Sequence, residues 1–410
     1  MNGIEMRAMS ALGLFSMIGI AWLASSNRRA IPWKTVAWGL GIQFALGLVL
    51  LRTNAGQSFF SGVATAVGRL LDYTNAGTRF VFGPLLDAGF SFALGVLPII
   101  IFMGSLFSIL YHLGWVQWVV RGLGAVLARS MKLSGAESLA AVANIFVGMV
   151  ESCLIIKPYI ERMTRSELFT TMTLGMSTVA GSVLLAYVNI LGGGAFAGHL
   201  LTASILSAPA GLLLAKIMIP ETDHPVTMVS VGVPVEKPEG NIIDAASEGA
   251  LNAMKLAAYV GATLIAFVAL IAMANDLLGQ VGGLLGIRDL TLQKGLGIAL
   301  APLAFLMGVP WQDAPTVGSL LGIKTVLNEF LAYQELGNAM AAGELTERSR
   351  IIASYALCGF ANFGSLAILL GGIGGMVPSR RHEVSSLGLR SILSGSLASF
   401  MTACLAGMLI

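Results

Sequence analysis

Two carboxylates stand inside otherwise apolar stretches of the chain. Glu151 lies in "NIFVGMVESCLIIKPYI", residues 144–160, and Glu329 lies in "LNEFLAY", residues 327–333, next to Asn328. An ionised carboxylate is costly in a protein core or a bilayer, so each needs a partner. Glu151 reads either as a hairpin-tip carboxylate satisfied by neighbouring backbone N–H groups, or as a functional group that accepts a hydrogen bond from a polar solute or tunes a coupling ion. The amide and carboxylate of Asn328 and Glu329 can together hold vicinal hydroxyls. Asn362 and Ser365, three apart, share a face if their helix persists, whereas an unwound "GFANFGS" frees backbone carbonyls as well. Both geometries serve a solute; polar residues joining two helices are the alternative. Asn144 and Thr178 offer side-chain oxygens near the backbone of Val147 and Gly148, a hard-oxygen cage suited to a small cation. Phe360 and Phe363 flank Asn362 and either stack on a flat ligand or simply pack.

The chemistry these groups suggest is recognition of a hydroxylated solute beside an ion, without bond making. His112, His199, His224 and His382 are scattered, and Cys153, Cys358 and Cys404 have no CxxC spacing, so neither a metal centre nor a disulfide framework is indicated. No HExxH, GxSxG or paired-Asp signature is present. "LGGGAFAG" and "LLGGIGGM" lack the Lys-Ser/Thr of a phosphate loop and read as helix ends and close-packing sites.

The elements that must position these residues belong to a membrane. The 410 residues are 56% hydrophobic and 11% charged, against about 25% charged in soluble domains. Mean hydropathy is +0.83. A net charge of +3 leaves no nucleic-acid footprint. The N-terminal apolar run has its basic flank after it rather than before, which reads as a retained first span and not a signal peptide. Apolar runs able to cross a core of roughly 30 Å fall near 8–25, 35–51, 93–113, 167–190, 196–219, 250–278, 351–373 and 387–409. The amphipathic, basic segment 117–131 reads as an interfacial helix. The stretches 134–160 and about 296–342, interrupted by Gly, Pro, Asn or Glu, read as re-entrant hairpins. With hairpins returning to the side they left, fifteen Lys and Arg fall inside and nine outside, Lys324 among the nine, when both termini are outside.

The expected fold is therefore an all-α polytopic membrane protein of eight transmembrane helices, two oppositely oriented re-entrant hairpins and interfacial helices. Segment 1–131 forms scaffold helices, 132–219 a first transport repeat, 220–247 a Pro- and acid-rich cytoplasmic linker, 248–290 a scaffold span and 291–410 a second transport repeat. In each repeat a hairpin carrying a glutamate precedes a span with a small-polar break, "GMSTVAGSV" (175–183) or "CGFANFGSLAI" (358–368). Such paired interruptions mark inverted-repeat secondary transporters with a site near the bilayer midplane.

Over nearly its full length the chain resembles the bacterial concentrative nucleoside transporters, through "MGVPWQDAPTVGSLLGIKTVLNEFLAY" (307–333), "ALCGFANFGSLAI" (356–368) and "PSRRHEVSSLGLRS" (378–391). The resemblance implies a homotrimer in the bacterial inner membrane, with an elevator-like transport domain moving against a trimerisation scaffold. It implies nucleoside uptake driven by a sodium gradient, or by protons in some bacterial members. Position by position, it assigns Glu329, Asn362 and Ser365 to the ribose hydroxyls and Phe360 to an aromatic of the same site. Asn144 and Thr178 match sodium-site positions by their side-chain oxygens, and Val147 and Val179 by their carbonyls; Val183 matches a position lining the base pocket. A proton-coupled porter in which Glu151 or Glu329 titrates, a membrane enzyme acting on a lipid or nucleoside-like substrate, and a passive channel are the competing readings.

The chain departs from the family pattern at the first hairpin tip. Where that pattern reads Gly-Gln-Thr-Glu, this sequence has Gly148, Met149, Val150 and Glu151. Ribose recognition is kept while two polar contacts to the base are lost, and flexible Met149 suits a larger or less polar base. Each lost hydrogen bond is worth about 0.5–1.5 kcal/mol. Met149→Gln combined with Val150→Thr is accordingly expected to shift selectivity among nucleobases by up to about tenfold per contact. Competition uptake with a panel of nucleosides checks this, and an unchanged ranking would remove both positions from base recognition.

Overall fold

The computed structural model describes residues 3–88, 91–227, 240–284 and 290–410, and every regular element among them is helical. The first group comprises α1 (Gly3–Leu23), α2 (Trp33–Arg52), α3 (Asn54–Phe82), the short α4 (Phe92–Gly95), α5 (Leu97–His112) and α6 (Trp115–Met131). α3 is not anticipated by hydropathy, because Gln57, Arg69, Asp72, Asn75 and Arg79 interrupt any apolar run. It is nevertheless well framed: Thr53 Oγ1 accepts from the Gly56 N–H at 3.2 Å, and Gly83 closes the other end with φ +54°. α6 buries Val116, Val120, Gly124 and Met131 on one face, which agrees with the amphipathic expectation for 117–131.

Two runs of elements then follow in the same order. The first is α7 (Gly135–Phe146), α8 (Met149–Ile160), α9 (Arg165–Ser177), α10 (Gly181–Ile190) and α11 (Ala197–Met218). After α12 (Ile242–Leu284) and α13 (Leu292–Leu306) comes the second, α14 (Ala314–Val326), α15 (Glu329–Ala341), α16 (Glu347–Leu357), α17 (Phe363–Met376) and α18 (Arg381–Leu409). α7–α8 and α14–α15 are helical hairpins with two-residue tips, Val147-Gly148 and Leu327-Asn328. α9 and α16 each begin at a threonine cap, Thr164 and Thr346, and each stops abruptly before a second short helix.

Seven stretches among the described residues are long and apolar enough to span a membrane: 3–23, 33–52, 92–112, 165–190, 194–218, 242–284 and 378–409, of which 165–190, the expected span 167–190, is broken between α9 and α10. The expected eighth span, 351–373, is two helices separated at 358–362, because the chain leaves helical geometry at Cys358 and restarts with Asn362 as a cap. The expected second hairpin, about 296–342, is also too broad: its first part is the separate helix α13, and the hairpin itself starts at Ala314. Helix α12 starts inside the expected linker at Ile242, capped by Asn241 Oδ1, which accepts from the N–H groups of Ile243 and Asp244. Residues 228–239 of that linker, with Lys237, and Arg288 lie outside the described residues. Two lysines counted as loop charges are buried: Lys324 within α14, and Lys216, which pairs with Glu137 at 2.5 Å.

Small residues allow the closest approaches. α5 packs on α12 where a Cβ on Gly249 would come within 2.6 Å of the Gly104 carbonyl oxygen. The ends of α9 and α16 meet at Gly359, where a Cβ would lie 2.9 and 3.0 Å from the carbonyl oxygens of Met176 and Ser177 and 2.6 Å from Ser399 Oγ. Backbone atoms cannot rotate away as a flexible side chain can, so no larger residue fits there. Gly359→Val is expected to cost about 1–3 kcal/mol through overpacking. Thermal unfolding of the purified variant measures this, and an unchanged melting temperature would show that the junction has slack.

Candidate functional site

Both hairpin tips and both helix breaks face one cleft, closed on its other side by α12. The cleft has about 790 Å³ of non-atom space, part of it open to the surroundings. The first half contributes Val147, Gly148, Met149, Val150, Glu151, Ser182 and Val183; the second contributes Asn328, Glu329, Phe330, Phe360, Asn362 and Ser365. All nine substrate-side residues singled out in the sequence therefore line the same space. Phe363 does not line it: it is 53% exposed, because the turn into α17 points it outward.

Glu329 is the most elaborately held group in the cleft. It is 3% exposed and sits in the first turn of α15, where the helix N-terminus favours an anion. Tyr187 Oη donates to its Oε1 at 2.9 Å, and Asn362 Nδ2 donates to its Oε2 at 2.7 Å. Tyr187 is fixed by stacking on Tyr333, 4.5 Å between ring centroids, and by the edge of Phe330 at 4.8 Å. Tyr333 in turn donates to the Ser354 carbonyl at 2.9 Å. Asn362 and Ser365 do not share a face of one continuous helix. They meet as a cap, Asn362 Oδ1 accepting from the Ser365 N–H at 2.8 Å. Asn328 plays the same part for α15, its Oδ1 accepting from Leu331 N–H at 2.9 Å.

Glu151 occupies the first turn of α8, its carboxylate against the backbone N–H groups of Val150 and Glu151 while the side chain stays exposed to the cleft. Met149 and Val150 are placed differently from each other. Met149 packs against Gly175 of α9, and the Val150 methyls would lie 3.2 Å from a Cβ on Gly372 of α17. The tip is thus wedged between the two broken helices.

Of the four positions expected to hold a cation, Val147 is in the tip itself, Asn144 is in the last turn of α7, and Thr178 and Val179 follow α9. Gly148, with φ +108°, brings the chain to within 3.0 Å of Ala180 Cβ, measured from a Cβ added at the glycine, so hairpin and break abut. Asn144 is 1% exposed; its Nδ2 donates to the Ala140 carbonyl at 2.9 Å, while its Oδ1 has no hydrogen-bond partner among the described residues. Thr178 Oγ1 donates to the Leu174 carbonyl at 3.0 Å and keeps its lone pairs, and the Val179 carbonyl accepts from Ser204 at 3.3 Å. A buried amide oxygen without a hydrogen-bond partner among the described residues, in a hairpin that abuts the break after α9, fits a small hard cation.

Residues that sequence reasoning missed fall into two sets. Tyr187 and Tyr333 look like ordinary packing aromatics in apolar helices, and nothing in the sequence links them to Glu329. The α12 wall, Leu256, Tyr259, Val260, Thr263 and Phe267, does carry a signal: one face of a helix at spacings of three and four, with two hydroxyls in an apolar run.

A solute cleft between two hairpins, two broken helices and a long membrane-length helix is the working part of a membrane transporter. Family models described as Na+-dependent nucleoside transporter C-terminus and N-terminus match residues 199–407 and 12–85, and one described as nucleoside recognition matches 93–194. An uncharacterized transporter of Bacillus subtilis, YutK, is 48% identical over 403 residues, covering 97% of this chain and 98% of its own length. Mouse sodium/nucleoside cotransporter 1 is 40% identical over 414 residues, and the match covers 98% of this chain but 63% of that protein. The solved structure of CNTnw in an inward-facing substrate-bound state aligns with a TM-score of 0.93 at 43% identity, over 98% of each chain. The chain belongs to the Na+-dependent concentrative nucleoside transporter family. Its relatives are transporters, so the membrane-enzyme reading is set aside.

Tyr187→Phe leaves one oxygen of a buried carboxylate without its donor, at a cost of about 1–3 kcal/mol. Nucleoside affinity of the purified variant is expected to fall accordingly while its sodium dependence is retained. Unchanged affinity would mean that Asn362 alone holds Glu329.

Proposed function

We propose that the protein imports nucleosides with sodium across the bacterial inner membrane. Glu329, Asn362 and Ser365 take the ribose hydroxyls, with Phe360 against the sugar or base. Gly148, Met149, Val150, Glu151 and Val183 form the base side. The observation that carries this reading is the Tyr187–Glu329–Asn362 arrangement: a carboxylate and an amide lining the cleft, bonded to each other and held from behind by Tyr187, which does not line it. Ordered polar groups of this kind favour a ligand with paired hydroxyls, because their desolvation is already offset by hydrogen bonds within the protein.

Sodium, as co-transported cargo, is held by Asn144 and Thr178 side-chain oxygens and the Val147 and Val179 carbonyls. Its position behind the tip that carries Met149 and Glu151 couples ion occupancy to the shape of the substrate cleft. The tips are re-entrant and enter from opposite faces, with both chain termini outside. The two repeats, 132–219 and 291–410, move as a transport unit of the elevator type against scaffold elements from 1–131 and 248–290, in a homotrimer. The repeated element order and the shared cleft with α12 support this division.

Uptake of labelled uridine and adenosine into proteoliposomes, with an inward sodium gradient, an inward proton gradient or none, tests the proposal. Sodium-driven accumulation is expected, and accumulation driven by protons alone would reassign the coupling ion. Glu329→Gln places an amide donor against Tyr187 or Asn362 and is expected to cut uptake of every nucleoside by about tenfold or more. Wild-type uptake by that variant would remove Glu329 from the shared ribose contact.

A further inference from the structure

The two halves place equivalent positions at the points where their helices stop. Asn144 lies four residues before Gly148, the cap of α8, and Thr178 is the first residue past α9. The same places in the second half, four before Asn328 and first past α16, hold Lys324 and Cys358. A serine supports each break, one residue out of step: Ser204 of α11 donates to the carbonyl of Val179, the second residue past α9, and Ser399 of α18 donates to the carbonyl of Cys358, the first past α16, at 3.0 Å. What differs is the pair of side chains facing the junction. An amide oxygen and a hydroxyl in the first half become an ammonium and a thiol in the second, and a thiol is a poor partner for a hard cation.

Lys324 is 0% exposed. Its Nζ donates to the carbonyl of Ala356, in the last turn of α16, at 2.9 Å, and lies 5.6 Å from the centroid of the Phe400 ring. No carboxylate lies within ion-pair distance of it among the described residues, although Glu329 is within electrostatic reach. A buried ammonium is far more costly than the amide that serves at Asn144, so a purely space-filling role does not account for it. The carbonyl end of a helix, negative by its dipole, is what a cation at this spot would neutralise.

We infer that Lys324 is a tethered cation: it fills, in the second half, the place that sodium takes in the first. The second helix break is thereby neutralised in every state of the transport cycle, and only the first depends on a diffusing ion. One sodium ion per protomer then completes the site. The inference rests on the sodium site proposed above.

The test is equilibrium binding of radiolabelled sodium to the purified full-length protein, alongside the sodium dependence of nucleoside binding. The wild type is expected to bind one ion per protomer with a Hill coefficient near 1, and Lys324→Arg, which keeps the charge, to do the same. Lys324→Asn, which installs the first half's amide, is expected to bind a second ion, with the Hill coefficient rising toward about 2. A Lys324→Asn variant with one ion and an unchanged sodium curve would overturn the inference and leave the sodium site intact. Two ions in the wild type would overturn it without any variant. No sodium bound in the wild type would overturn the underlying sodium site and this inference with it.

Discussion

A helix that stops inside an apolar medium leaves backbone groups unpaired, and much of this protein's architecture answers that cost. α9 and α16 both end in the interior, and each end must find partners that water would supply elsewhere. The two ends are packed against one another so closely that only a glycine, Gly359, fits between Met176, Ser177 and Ser399. Serines from the long helices α11 and α18 donate to the exposed carbonyls on either side. Removing water from a helix end in this way creates a place where a ligand's charge is strongly felt.

The polarity of the helix ends then sorts the chemistry. The N-termini of α8, α15 and α17 open on the cleft, and the two glutamates of the hairpins sit in the first turns of α8 and α15, where a negative charge is favoured. The carbonyl ends of α9 and α16 face the junction behind it, where cations are favoured. This explains why Glu151 survives beside Met149 and Val150: the helix terminus stabilises a carboxylate at that place whether or not its neighbours are polar. An apolar pair at the tip is therefore compatible with the way the tip is built.

Much of this was legible in the sequence, and the failures have physical causes. The hairpins and breaks announced themselves through Asn144, Glu151, Glu329 and Asn362, because polar residues in apolar runs are expensive and must be explained. α3 escaped because its apolar residues are spread around polar ones, so no window of hydropathy rises far enough. α13 escaped for the opposite reason, its apolarity running on toward the hairpin that follows. The small and polar residues of 358–362 suggest an unwinding there, but the pairing of Asn362 with Ser365 as cap and amide depends on dihedral angles that spacing does not encode. Lys324 gives no such signal: a lysine between apolar residues looks like a loop charge, and its burial and its bond to the Ala356 carbonyl place it at a helix end.

The wall contributed by α12 gives the cleft an asymmetry of character. On the repeat side Glu329, Asn362 and Asn328 are anchored by hydrogen bonds; on the α12 side the lining is Leu256, Tyr259, Val260, Thr263 and Phe267, with Thr263 hydrogen-bonded back into its own helix. These residues cover roughly 16 Å of helix length, and α12 continues well beyond them at both ends. Apart from the Tyr259 hydroxyl, a surface of this kind offers a neighbour few directional bonds. It is a smooth wall, held to the anchored side of the cleft by packing more than by directional bonds.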